Sequence, residues 1–241
     1  MRVSVILPAA GLGTRMGRVA PEKSGVSRKQ FMLLDNSPIL IHTIRKFDAC
    51  PSVTEIVVAL RAEDMEWVRE MLDRETLAKP VRLVVGGDSR QRSVENALAA
   101  IDPGTELVAV HDAVRPFVDI DTIEAVIGEA GQSGAAIAGI VPVDTVKRIH
   151  KNKVRSTLPR EHLILTQTPQ VFRYGLIRQA FEKASDDGFY GTDESSLVER
   201  LEEVEVSVVQ GSDRNIKITK PGDMDLARLF LAEEMAERNA G

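Results

Sequence analysis

Val5 to Gly17 reads VILPAAGLGTRMG, an apolar run that breaks into small residues and glycines and then presents Arg15. Gly11 and Gly13 allow backbone N–H groups to approach a phosphate closely, and a following helical turn adds its dipole. Three more segments offer polar chemistry after apolar runs: GGDSRQRS (Gly86 to Ser93), HDAVRP (His111 to Pro116) and NIKIT (Asn215 to Thr219). Together they supply glycines, cations and one acid, Asp112. No Ser–His–Asp or Cys–His arrangement accompanies them, and no zinc-ligand cluster. Transfer of a nucleotidyl group onto a phosphate needs this inventory. Its nucleophile is already an anion at neutral pH, so no side chain has to remove a proton. The difficulty is bringing a negative oxygen to a negative α-phosphorus, and positioned Arg, Lys and Mg²⁺ bind the charge that builds there.

Each segment also has a plainer account. The glycine loop lacks the third glycine of a dinucleotide fingerprint, having Met16 there, and no Gly-Lys-Ser/Thr follows it as in a P-loop. A dehydrogenase or P-loop kinase is therefore disfavoured. Asp112 ends the apolar run LVAVHDA, where an unpaired carboxylate is costly, so it meets either a cation or Mg²⁺, directly or through water. A simple salt bridge to Arg115 would satisfy it as well. His111 reads as a packed core histidine. GGDSRQRS serves equally as a tight turn capping a helix, with Asp88 or Ser89 as cap. Lys217 alternates with isoleucines and by that pattern alone faces solvent. Trp67 and His42 sit in amphipathic stretches and read as structural.

The elements that must carry these residues alternate along the chain. Strands are expected at Val3–Leu7, Glu55–Leu60, Val81–Val85, Leu107–His111, Ala136–Val141, Val204–Val209 and Asn215–Thr219. Helices are expected at Ile39–Ala49, Asp64–Arg74, Gln91–Ile101, Thr122–Ala130, Tyr174–Ala184, Glu194–Leu201 and Met224–Arg238. Wholly apolar strands separated by helices indicate an α/β fold, a mostly parallel sheet covered on both faces. Ligands in such sheets bind beyond the carboxyl ends of the strands, where the polar segments fall. Pro38 suits the first turn of the helix it precedes, and Asp223 is a plausible N-cap for the last one. Thr145 to Thr157, TVKRIHKNKVRST, is too polar for core and reads as a projecting hairpin around KNK. Such a pair of strands is marginal alone, which implies a partner surface, a second copy of the chain.

Composition narrows the partners. The chain has 241 residues, 43% hydrophobic and 28% charged, and a net charge of −5, which argues against a general nucleic-acid binder. The charge is uneven: Arg15, Arg18, Lys23, Arg28 and Lys29 face only Glu22 between Gly11 and Gln30. A basic island beside a glycine loop implies a small, highly charged anion, although a solvated loop would look the same. No apolar run is long enough to span a membrane, and the start lacks a full signal-peptide core. Cys50 is the only cysteine, which fits a reducing cytoplasm.

With these residues in hand, the chain resembles the 2-C-methyl-D-erythritol 4-phosphate cytidylyltransferases of non-mevalonate isoprenoid synthesis. PAAGLGTRMG, RKQF, GGDSRQRSV, HDAVRP, PVDTVKR, TQTPQVF, TDESSLVE and NIKITKPGDMDLA stand in family order across nearly the whole chain. GGDSRQRSV, HDAVRP and TQTPQ together are specific, whereas the glycine loop alone marks only the wider nucleotidyltransferase superfamily. The resemblance implies a Rossmann-like nucleotidyltransferase domain over residues 1–241, with a dimerisation arm at about 142–163. It implies CTP and methylerythritol phosphate as substrates and Mg²⁺ as cofactor. Pro8, Ala9, Ala10, Gly11, Leu12 and Gly13 would hold the nucleotide, with Gly87, Asp88 and Ser93 framing the cytidine. Arg15, Lys29 and Lys217 would stabilise the transition state. Asp112, Arg115, Thr168 and Thr192 would lie near the acceptor, and the arm would lend Thr145, Lys147 and Arg160 to a neighbouring subunit. One departure bears on the loop: the family's Pro-Lys-Gln triplet follows a shorter gap, and here Arg28 replaces the proline. Lys23 in APEKS is thus a rival to Lys29. A cytidylyltransferase for ribitol phosphate, or a silent nucleotide-binding module, would share the nucleotide half.

Overall fold

A computed structural model describes residues 1–11 and 28–240, so Leu12, Gly13, Arg15 and Lys23 lie outside the described residues. The chain runs β1 (Val3–Pro8), β2 (Leu33–Leu34), β3 (Ser37–Pro38), α1 (Ile39–Asp48), β4 (Val53–Leu60), α2 (Met65–Leu72), β5 (Val81–Val85), α3 (Arg90–Leu98) and β6 (Leu107–Val110). It continues with α4 (Ile120–Ser133), β7 (Ala135–Ile140), β8 (Lys147–His150), β9 (Lys153–Thr157), β10 (Leu165–Arg173), α5 (Tyr174–Asp186), α6 (Ser195–Val198), β11 (Ser207–Gln210) and α7 (Pro221–Ala240). Seven strands form one sheet in the order β11-β7-β10-β6-β1-β4-β5. All neighbours are parallel except β10, which runs antiparallel to both β6 and β7.

Alternation along each strand assigns its side chains to two cores. Val3, Val5 and Leu7 of β1 meet Ile41, Ile44 and Phe47 of α1, Val68 of α2 and Ile123 of α4 on one face. Ile6, with Val57 and Ala59 of β4, meets Val94 of α3 and Ile177 and Phe181 of α5 on the other. Both faces are covered over the sheet's interior, so β1, β4, β6 and β7 are almost wholly buried and read as near-continuous apolar runs. Among the described residues, no helix is long and apolar enough to cross a membrane.

The structure departs from these expectations in one unforeseen strand, one misread segment and one helix cap. Leu165–Arg173 is a central strand that the sequence pattern hides, because LTQTPQVFR breaks its apolar run with polar residues and Pro169. The ladder to β7 shifts register between Thr166 and Gln170, which is where a strand tolerates proline. Asn215–Thr219, expected as a strand, is irregular. Side-chain and isolated backbone bonds hold it instead. The buried Asn215 amide donates to Thr168 O at 2.8 Å, and Ile218 N–H donates to Val114 O at 3.0 Å. Asp223 is not the N-cap of α7. It sits one turn in, where its carboxylate accepts from Thr219 N and Lys220 N at 2.7 and 2.8 Å, the reach-back half of a capping box.

The hairpin stands where expected. β8 and β9 pair antiparallel around Lys151 and Asn152, both at positive φ (47° and 60°), which matches the twist a two-residue hairpin turn requires. Ile149 and Val154 on it are each 63% exposed.

Candidate active site

Strand order reverses around β1, so the segments after β1, β5 and β6 open into one crevice at the sheet's carboxyl edge. A cavity of about 410 Å³ lies there. It brings together Pro8, Ala9, Ala10, Gly11, Lys29, Gly87, Asp88, Ser93, Asp112 and Lys217 of the expected residues. A second cavity of about 250 Å³ adjoins it and collects Arg115, Thr168 and Thr192. Asp112, Lys217 and Arg90 line both, so they form the partition between the two. A larger cavity of about 490 Å³ between α1, α4 and α7 contains none of these residues, and Lys46–Glu234 closes an ion pair on its wall at 2.7 Å.

The first cavity's floor is backbone. Ala9 N–H donates to Ala59 O of β4 at 2.8 Å. The buried Gln30 amide donates to Ala9 O at 2.7 Å and to Gly11 O at 3.1 Å. With those carbonyls held, the N–H groups of Ala10 and Gly11 have no partner among the described residues, which suits an anion. Opposite, Gly86 N–H donates to Leu60 O at 2.6 Å, and a Cβ on Gly86 would stand 2.7 Å from Ala10 Cβ. Glycine there lets the two loops touch. Ser93 Oγ accepts from Gly87 N at 3.1 Å and donates to Ser89 O at 2.7 Å, fixing the turn. Ser89, rather than Asp88, caps α3, accepting from Arg92 N at 3.1 Å. Both accounts of GGDSRQRS therefore hold at once: the capped turn is also a wall of the cavity.

The partition is ionic. Asp112 Oδ1 meets Arg90 Nε at 3.3 Å, while Oδ2 meets Arg115 Nε at 3.1 Å and Lys217 Nζ at 2.9 Å. Burial raises the Asp112 carboxyl pKa, but Arg90, Lys217 and Arg115 overcome this and hold it well below the usual carboxylate range. Arg90 reaches on to Glu194 Oε1 at 2.6 Å. Glu194 is buried, its Oε2 has no partner among the described residues, and burial outweighs Arg90 in raising its pKa. His111 is a core histidine as expected: it stands edge-on to Phe47, shares a hydrogen bond with Arg115 O at 3.1 Å, and burial pushes its pKa down to about 4.

Not every expected residue joins the site. Arg28 turns away from the cavity to pair with Glu63 and Asp64, so part of the basic island is structural. Thr145, Lys147 and Arg160 are exposed on the arm and line neither cavity; Lys147 Nζ donates to Thr157 Oγ1 at 2.6 Å. Nor does the donor set fit a resident metal. Both Asp112 oxygens are taken by cations, and among the described residues no three His, Cys, Asp or Glu cluster to hold one. Sequence reasoning passed over Gln30, Arg90 and Glu194, all inside quoted segments. Their importance comes from partners 19 to 104 positions away, which spacing does not reveal.

Residues 3–233 match the family model for 2-C-methyl-D-erythritol 4-phosphate cytidylyltransferase. The chain belongs to this family. It is 64% identical to the cytidylyltransferase of that name from Solibacter usitatus over 240 residues, 98% of each chain. Identity to the Acidobacterium capsulatum protein is 47% over 238 residues, 97% of this chain and 98% of that one. Among solved structures, 4-diphosphocytidyl-2C-methyl-D-erythritol synthase from Anaerococcus prevotii superposes with a TM-score of 0.83. It is 31% identical, with 95% of this chain and 96% of that one covered. The mostly parallel seven-stranded sheet is thus the cytidylyltransferase family's fold, and the two adjoining cavities lie at its carboxyl edge.

Proposed function

We propose that the chain transfers CMP from CTP to 2-C-methyl-D-erythritol 4-phosphate, giving 4-diphosphocytidyl-2-C-methyl-D-erythritol and pyrophosphate. The observation that carries this reading is the pair of cavities that share an Asp112–Lys217–Arg90 partition, one floored by N–H groups and one lined by hydroxyls. The triphosphate lies on Ala10 and Gly11, and the acceptor phosphate lies beside Arg115, Thr168 and Thr192. An acceptor phosphate oxygen attacks the α-phosphorus in line, and the bond to the β-bridging oxygen breaks as pyrophosphate leaves. No base is required. Lys29 and Lys217, with Arg15 beyond the described residues, bind charge that is greatest in the transition state; losing one such donor costs about 10²–10³ in rate. Mg²⁺ enters as part of the substrate, on the nucleotide's phosphates, since Mg²⁺ favours phosphate and water ligands.

The arm supports a homodimer in which Thr145, Lys147 and Arg160 reach the neighbour's acceptor cavity. Their exposure, and the apolar Ile149 and Val154 beside them, favour that arrangement. A lone cysteine accords with the cytoplasm as the place of reaction.

The test is pyrophosphate release with CTP or UTP crossed against methylerythritol phosphate or ribitol phosphate. Release only with CTP and methylerythritol phosphate is expected. Equal rates on ribitol phosphate, or nucleotide binding without turnover on any acceptor, would overturn the reading.

A further inference from the structure

The partition holds more cation than it needs. Asp112 and Glu194 supply two negative charges, and Arg90, Arg115 and Lys217 supply three positive ones. The two guanidiniums are anchored at both ends: Arg115 to Asp112 and to Asn215 O at 2.7 Å, Arg90 to Asp112 and to Glu194. Lys217 has Asp112 alone among the described residues, its side chain is 33% exposed, and it lies on the irregular segment between β11 and α7. It is the member of the cluster that can depart.

We propose that Arg90, clamped by Glu194, is a positioning residue that keeps Asp112 neutralised, so that Lys217 can leave the carboxylate for the substrate's phosphates. The inference rests on the cytidylyl-transfer reading. When Lys217 moves, Asp112 retains Arg90 and Arg115, and the four remaining charges balance. Without Arg90, the carboxylate would be left with Arg115 only and would hold Lys217 back. A buried carboxylate tolerates poor pairing badly, which is why the third cation decides whether the ammonium is held or released.

Removing Arg90 also removes a positive charge from the cavity, so the decisive quantity is coupling rather than the single loss. In the parent enzyme, Lys217→Ala should lower kcat by about 10²-fold. In an Arg90→Gln background the same change should cost less than about threefold, because Lys217 is already sequestered. Arg90→Lys, which keeps the charge but reaches only one carboxylate, should fall between and serves if Arg90→Gln does not fold. An equal Lys217→Ala cost with Arg90 intact and replaced would overturn the proposal, since a merely structural Arg90 would leave that ratio unmoved. If the parent enzyme shows no turnover, the reaction assignment fails separately. The same cycle is then read on inorganic pyrophosphate affinity by calorimetry: Lys217→Ala should weaken binding in the parent and not in the Arg90 variants, and equal weakening in both refutes it.

Discussion

Replacing Gln30 by Met tests the backbone cradle without touching any charge. The side chains have similar length, but Met has no donor for the two carbonyls that Gln30 holds. Ala9 is only 3% exposed, so its carbonyl loses a partner that water does not readily replace, at a cost of about 1–3 kcal/mol. The Gly11 carbonyl is at an exposed residue, where water restores most of what is lost. The sum is roughly 2 kcal/mol of local order, about 30-fold in affinity if nucleotide binding has to restore it. Calorimetric titration with CTP in the absence of acceptor should show that loss, with the melting temperature falling by no more than about 4–8 °C, the shift that roughly 2 kcal/mol produces in a domain of this size. Gln30→Glu should lose more, since a carboxylate would face two carbonyl oxygens and a triphosphate. A Gln30→Met protein that binds CTP within about threefold of the parent would show that the loop holds its shape unaided.

Three further outcomes are expected. Lys29→Ala should lower turnover by about 10²-fold and Lys23→Ala far less, because Lys29 lines the cavity proposed for the nucleotide; equal modest losses in steady-state assays would refute this loop register. His111 excludes a proton that the unfolded chain binds near pH 6.5, so stability should fall as pH drops from about 6.5 towards 4, by roughly 3 kcal/mol in all. Glu194, whose pKa is raised, acts in the opposite sense, so urea unfolding of His111→Gln against the parent at each pH isolates the histidine: the variant should show the flatter profile. If the arm acts across a homodimer, mixing inactive Lys217→Ala with inactive Arg160→Ala should restore about a quarter of parental activity through mixed dimers, and no recovery would place Arg160's role within its own chain.

Much of this molecule is legible in its sequence because burial on both faces writes strands as apolar runs. β1, β4, β6 and β7 all announce themselves in that way, and the half-exposed edge strand β5 by its run of β-branched residues. The same logic conceals β10, whose Gln167, Thr168 and Gln170 are buried yet polar: they serve the site and its supports, so they break the pattern that burial would otherwise write. Asn215–Thr219 misleads in the reverse direction. Its alternation reads as a strand, but an interior Asn215 bonded to β10 takes the place of a ladder. Gly87 and Asp112 stand out by type and spacing. Arg90 and Glu194 do not, because an ion pair 104 residues apart in sequence leaves no local trace.

The arm is tied to the sheet only at its roots. β7 leads out of the ladder and β10 leads back in, pairing Leu165 with Ile140 and Thr166 with Gly139. Between them, Leu158 bonds Val146 and Arg160 bonds Val143, so the described hydrogen bonds of residues 141–164 stay within that stretch. The hairpin is therefore a replaceable module. Its length and residues can drift, or be exchanged by an engineer, while the nucleotide side of the enzyme keeps its shape. If the arm lends Thr145, Lys147 and Arg160 to a neighbour's acceptor cavity, as proposed, new acceptors are most readily reached by rewriting those few exposed turns.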